Sequence, residues 1–71
     1  MTEVKMHLTL HKISDGGNRP IFVCANDVQV VEPTGLGSTV RLIGGTVIED
    51  VTESTMEILE FLMRILPERW E

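Results

Sequence analysis

Cysteine is nearly absent from this chain: Cys24 stands alone among 71 residues, so no disulfide can form within it. Histidine is almost as scarce. A zinc site built from Cys and His would have three ligands at most, Cys24, His7 and His11. Four positions apart on a strand, the two histidines would lie roughly 13 Å from each other, too far to share one ion. No metal and no other cofactor is expected. There is no tyrosine, and Phe22, Phe61 and Trp70 are the only aromatic residues, which leaves little surface for stacking bases. Lys5, Lys12, Arg19, Arg41, Arg64 and Arg69 are scattered, and a net charge of −5 argues against non-specific binding to phosphate backbones. No apolar run reaches the ~18 residues of a membrane span, and none sits near the N-terminus as a signal peptide would. A single thiol inside the apolar run 21–25 fits a reducing compartment. With Met1 as its start, the chain is expected to be complete and cytoplasmic.

A chain of this length buries only about 60% of its unfolded surface. Small scaffolds compensate with disulfides, a metal or oligomerisation. The first two are unavailable here, so self-association is the expectation, with a dimer favoured.

The residues that are present describe a single α+β domain over 1–71. Val4, Met6, Leu8 and Leu10 alternate with Lys5, His7, Thr9 and His11, the period-two pattern of a half-buried strand over about 3–13. Ser14-Asp15-Gly16-Gly17-Asn18 is a cluster of turn formers. Strands are expected at about 20–25, 28–32, 39–43 and 46–51, with the longest loop at 33–38. Gly44-Gly45 predicts a two-residue hairpin in which Ile43 faces Thr46, Leu42 faces Val47 and Arg41 faces Ile48. Val40, Leu42 and Val47 would then share the inner face, joined by Val51. Ser54-Thr55-Met56-Glu57 matches a capping box, which predicts a helix over about 55–66 that Pro67 stops. The resulting order is a small twisted antiparallel sheet, or a partly closed barrel, of about five strands followed by one helix.

That helix is too apolar for one buried face. Its charged residues, Glu57, Glu60 and Arg64, form one narrow stripe. Ile58, Phe61, Leu62 and Ile65 are expected to pack on the sheet. Met56, Leu59, Met63 and Leu66, continued by Trp70, follow a 3, 4, 3, 4 spacing and predict a partner-facing seam. Trp70 is expected to be buried on its own protomer or on a neighbour.

Sites of chemistry are harder to find. Gly35-Leu36-Gly37-Ser38 lacks the Gly-Lys-Ser/Thr ending of a phosphate-binding loop and opens a strand, so turn chemistry explains it. Cys24 in an apolar strand fits a small core residue, with no histidine beside it in sequence. Asp15, Asp27, Ser38 and Ser54 sit at turn or cap positions, where local hydrogen bonds account for them. Glu49, Asp50, Glu53, Glu57 and Glu60 read as a solvated rim, and His7 and His11 as two solvent-facing histidines. Nothing matches an acid–base pair or a triad, so the protein is not expected to be an enzyme.

One resemblance adds to this. The segments Ile21-Phe22-Val23-Cys24-Ala25-Asn26-Asp27-Val28-Gln29-Val30-Val31 and Thr39-Val40-Arg41-Leu42-Ile43-Gly44-Gly45-Thr46-Val47-Ile48, followed by Glu53-Ser54 and Glu57-Ile58, are similar to the FlbD-like flagellar and swarming-motility proteins. The likeness spans about residues 19–62. The loop 33–38 is longer than in that pattern, Glu49-Asp50 interrupts the last strand, and the helix is longer and more apolar. The resemblance implies a non-enzymatic accessory or regulatory protein of bacterial or phage origin. The functional expectation is therefore a protein-interaction module that self-associates through its C-terminal helix and has a protein partner. The alternative is a nucleic-acid-associated regulator, which would need Lys5, Arg19 and Arg41 to converge on one face of the sheet.

Overall fold

The computed structural model describes residues 6–70; residues 1–5 and Glu71, and with them the Val4 and Lys5 positions discussed above, lie outside the described residues. Strands β1 (His7–Ser14) and β2 (Gly17–Cys24) form a hairpin. Asp15 and Gly16 turn it with φ of 51° and 77°. Positive φ at both central positions matches the right-handed twist of the flanking strands. Gly17 and Asn18, expected in the turn, are therefore already strand, and so is Arg19. A single 3-10 turn, Ala25–Asp27, leads into β3 (Val28–Pro33); β4 (Ser38–Leu42), β5 (Val47–Val51), α1 (Thr55–Ile65) and α2 (Pro67–Trp70) follow.

The five strands make one antiparallel sheet in the order β2-β1-β5-β4-β3. Successive strands β2 and β3 thus occupy opposite edges, about 19 Å apart if the sheet were flat. The four peptide units from Cys24 to Val28 reach at most about 14 Å. The sheet must curl until its edges approach at that corner, where Ala25 N–H donates to the Met6 carbonyl (2.8 Å) and Ile43 N–H to the Asp27 carbonyl (2.7 Å). No ladder joins β2 to β3 among the described residues, so the sheet is open along this seam, and the barrel alternative is corrected to an open, curled sheet.

The hairpin between β4 and β5 departs from expectation. Gly45 N–H donates to the Leu42 carbonyl (3.1 Å) and Leu42 N–H to the Thr46 carbonyl (2.8 Å). Gly44 and Gly45 both have positive φ, 100° and 97°. This spends three residues on the turn where two were expected. The register slips by one, pairing Arg41 with Val47 and Val40 with Ile48. A one-residue slip reverses every side chain. Val47 consequently lies exposed beside Arg41 on the outer face, while Ile48 packs against the core. Further along, the register shifts again between the Val40–Ile48 and Ser38–Val51 pairs, where Asp50 adopts a φ of 60°. This extra residue is a β-bulge, and it returns Val51 to the interior, fully buried.

Leu8, Leu10, Val23, Ala25, Val28, Val40 and Val51 line the concave side, and Ile58 and Leu62 of α1 close it. The Ser54 hydroxyl accepts from Glu57 N–H (3.1 Å) and the Glu57 carboxylate from Ser54 N–H (3.4 Å), so the capping box fixes where the helix begins. Pro67 pushes Leu66 out of helical geometry (φ −130°, ψ 64°), and α1 ends at Ile65. The residues expected as a tail instead form one further helical turn, α2, with Pro67 first, where its missing N–H costs nothing. Met6 was expected inside but is exposed, because it precedes the strand that turns Leu8 and Leu10 inward.

Candidate protein-interaction surface

Helical geometry sorts the apolar residues of α1. At about 100° per residue, Leu62 and Ile65 lie within about 40° of Ile58, and these three face the sheet. Phe61, adjacent to Leu62, points about 100° away from it. Phe61 is 42% exposed, which corrects its assignment to the sheet-facing set. On the opposite flank Met56 is 64% and Met63 40% exposed, with Leu59 half-buried between them. Leu66 follows Leu62 by four residues and is turned inward with it. Leu66 and Trp70 both pack against the core of their own protomer, so the expected seam divides: Met56, Leu59 and Met63 form the open flank, and Leu66 and Trp70 lie mainly beneath it.

The end of the chain is tied down by Arg69. Its guanidinium donates to the carbonyls of Asn26 (2.5 Å) and Val28 (2.6 Å) at the start of β3 and lies 5.5 Å from the centre of the Trp70 ring. A cleft of about 350 Å³, lined by Asn26 and residues 65–69, opens beside this tether.

The second construction is polar, and sequence reasoning missed it. The hairpin β1–β2 meets the rest of the sheet at a single bridge, Lys12 with Val51. Just beyond it β5 ends, and the Glu53 side chain takes over the role of a strand. One carboxylate oxygen accepts from His11 N–H (2.8 Å) and the other pairs with His11 Nδ1 (2.7 Å). Thr52 N–H donates to the His11 carbonyl (2.8 Å), and the buried Ser38 hydroxyl donates to the Glu53 carbonyl (2.8 Å). The Glu53 side chain is only 13% exposed, so neither it nor His11 belongs to a purely solvated surface, as had been expected. With Glu53 ionised, His11 Nδ1 must carry a proton to make this bond. The sequence held no local sign of the pair, whose members are 42 residues apart.

Burial pushes the Glu53 carboxyl upward, but the ring and backbone N–H of His11 outweigh it and hold Glu53 below its ordinary value of 4.5. A carboxyl lowered in the folded state stabilises the fold above its unfolded value, and that contribution is lost as pH falls through the folded one. Glu53→Gln removes the charge and replaces one acceptor with an amide donor, which His11 Nδ1 can meet only by giving up its own proton. We expect a loss of about 1–3 kcal/mol at pH 7 in urea unfolding, and a flatter acid limb below about pH 4.5. An unchanged acid limb would show that Glu53 is not the linked group.

The remaining candidates are not brought together. Cys24 lies directly across from His7 in the β1–β2 ladder, yet no hydrogen bond joins them among the described residues; the thiol donates instead to Asn26 Oδ1 at 3.9 Å. No three His, Cys, Asp or Glu side chains cluster as metal ligands among the described residues. Arg41 sits on the outer face and is paired with Glu32 (2.5 Å). Arg19 shares the inner parity of Ile21 and Val23 and lies 4.0 Å from Asp15, so these two cations occupy opposite faces. Among the described residues, no helix is long and apolar enough to cross a membrane. Comparison of the chain with family models, curated proteins and solved structures finds no match.

Proposed function

We propose that this protein is a non-enzymatic interaction module that self-associates through α1, most simply as a two-fold dimer, and presents the assembled surface to another protein. The observation that carries the reading is the flank of Met56, Leu59 and Met63. It is apolar, contiguous on one side of a capped helix, and left open after Ile58 and Leu62 have filled the core. Methionine is frequent on adaptable contact surfaces, and the spacing suits a second helix. A dimer with two-fold symmetry needs only this one patch, facing itself. The flank is smaller than the ~800 Å² per partner of a standard interface, so association should be weak and concentration-dependent. The resemblance of residues 19–62 to FlbD-like proteins agrees with an accessory role.

Light scattering coupled to size exclusion tests it. We expect a mass that rises from monomer toward dimer as concentration is raised into the high micromolar range. Replacing Leu59 and Met63 with Glu should hold the protein monomeric and folded. A wild-type chain that stays strictly monomeric at high micromolar concentration, or a double variant that keeps its self-association, would remove the reading.

A further inference from the structure

We propose that α2 is a detachable strap, an element that docks on and lifts from the start of β3 while the sheet and α1 remain folded. The inference is independent of self-association. It rests on how unevenly α2 is held. None of its residues is fully buried, whereas α1 contributes Ile58 and Leu62 to the core. Its backbone bonds, from Arg69 N–H and Trp70 N–H to the Leu66 carbonyl (both 3.1 Å), close its own turn on the residue before Pro67 and reach neither the sheet nor α1. Leu66 itself is non-helical, a natural hinge between the two helices.

Two side chains oppose each other in energy. Arg69 favours docking, because its guanidinium bonds both the Asn26 and Val28 carbonyls and stacks near the indole. Hydrogen bonds from a charged donor are worth more than neutral ones. Trp70 both favours docking and resists it. The ring gains burial against the core, but its Nε1 is buried where no acceptor among the described residues reaches it. A buried donor left unpaired forfeits its hydration without replacement. Lifting the strap returns that N–H to water and frees the carbonyls of Asn26, in the 3-10 turn, and Val28, at the start of β3. It also opens the adjoining cleft along Ile65 and Leu66. The docked form is therefore held largely by one arginine, and a modest change at Arg69 should shift the balance.

Trp70 is the only tryptophan, so its fluorescence reports the strap alone. In Arg69→Ala we expect a red-shifted emission maximum, stronger quenching by acrylamide, and about a tenfold larger lifted population, while the loss of far-UV ellipticity in urea stays a single cooperative transition whose midpoint falls by no more than that same factor of about ten in the folding equilibrium. In Trp70→Phe, which keeps an aromatic ring and removes the orphaned donor, the amides of residues 69 and 70 should exchange with deuterium several-fold more slowly than in the wild type. The proposal is overturned if Arg69→Ala leaves emission and quenching unchanged. It is also overturned if the wild-type amides of residues 69 and 70 exchange as slowly as those of Val40 and Leu62, since the strap would then open only with the whole protein.

Discussion

Leu62→Glu should abolish folding. Leu62 is fully buried, lies on the same side of α1 as Ile58, and meets the concave side of the sheet lined by Leu10, Val28 and Val40. Removing a buried leucine side chain costs about 2–5 kcal/mol by itself. The carboxylate adds a second cost, because no charged side chain is buried among the described residues to pair with it. The group would have to be protonated or drag water into the core. A domain of this size has a total stability of roughly 4–10 kcal/mol, so the two costs together consume it. We expect a coil-like far-UV spectrum at 25 °C and no cooperative transition. The contrast with Leu59→Glu/Met63→Glu is what gives the result its meaning. Those residues lie one turn before and one residue after Leu62, on the same helix, yet should leave a folded monomer. Equal behaviour of the two variants would show that the division of α1 into a core face and an open flank is wrong.

How much of this was legible in the sequence follows from the range of the interactions involved. Local signals worked where the chain decides locally. The alternation of Leu8 and Leu10 with Thr9 and His11, the Ser54–Glu57 box and the stop before Pro67 each act within about four residues, and each has its counterpart in the structure. The β4–β5 hairpin failed by one residue, although its two glycines were recognised as a turn. Dipeptide composition names the turn but does not count its residues, and a loop that takes in one additional residue, Ile43, reverses Val47 and Ile48. Phe61 failed because apolar residues at adjacent helical positions cannot all face one way. Only the position of the sheet decides between Phe61 and Leu66.

The exposed apolar flank of α1 was partly legible for the same reason. Met56, Leu59 and Met63 are set by helical periodicity alone, whereas the inward turn of Leu66 and Trp70 depends on where α2 meets β3. Nothing local marks the bond from Arg69 to Asn26 and Val28, or the pairing of Glu53 with His11. These contacts exist because the sheet curls, and the curl follows from a short connection between strands at opposite edges. A sequence reading that assigns strands without their order does not reach that constraint.

Gly37→Ala should be nearly as damaging as the core substitution, although it adds a single methyl group to an exterior loop. A Cβ at position 37 would run into the carbonyl oxygens of Val51 and Thr52. These are backbone atoms at the end of β5, and they cannot rotate aside as a side chain would. The loop is also fastened on both sides of the contact: Gly37 N–H donates to Thr34 Oγ1 (3.0 Å) and Thr34 N–H to the Gly37 carbonyl (3.1 Å). Moving it outward would pull on Ser38, whose buried hydroxyl holds the Glu53 carbonyl and whose backbone pairs with Val51. Overpacking against rigid neighbours costs about 1–3 kcal/mol, and a broken buried hydrogen bond a similar amount. The expected sum is about 3–5 kcal/mol, which lowers Tm by roughly 12 °C or more in a domain of this length. Gly35→Ala is the control. Its Cβ would meet nothing within 4 Å and its φ lies outside the positive region, so reduced freedom of the unfolded chain should leave it neutral or stabilised by about 0.4–1 kcal/mol. Calorimetric melting of the two variants side by side decides the point. If they melt together, Gly37 is a turn residue like Gly35, and the close approach of the 33–38 loop to the end of β5 does not hold Ser38 against Glu53.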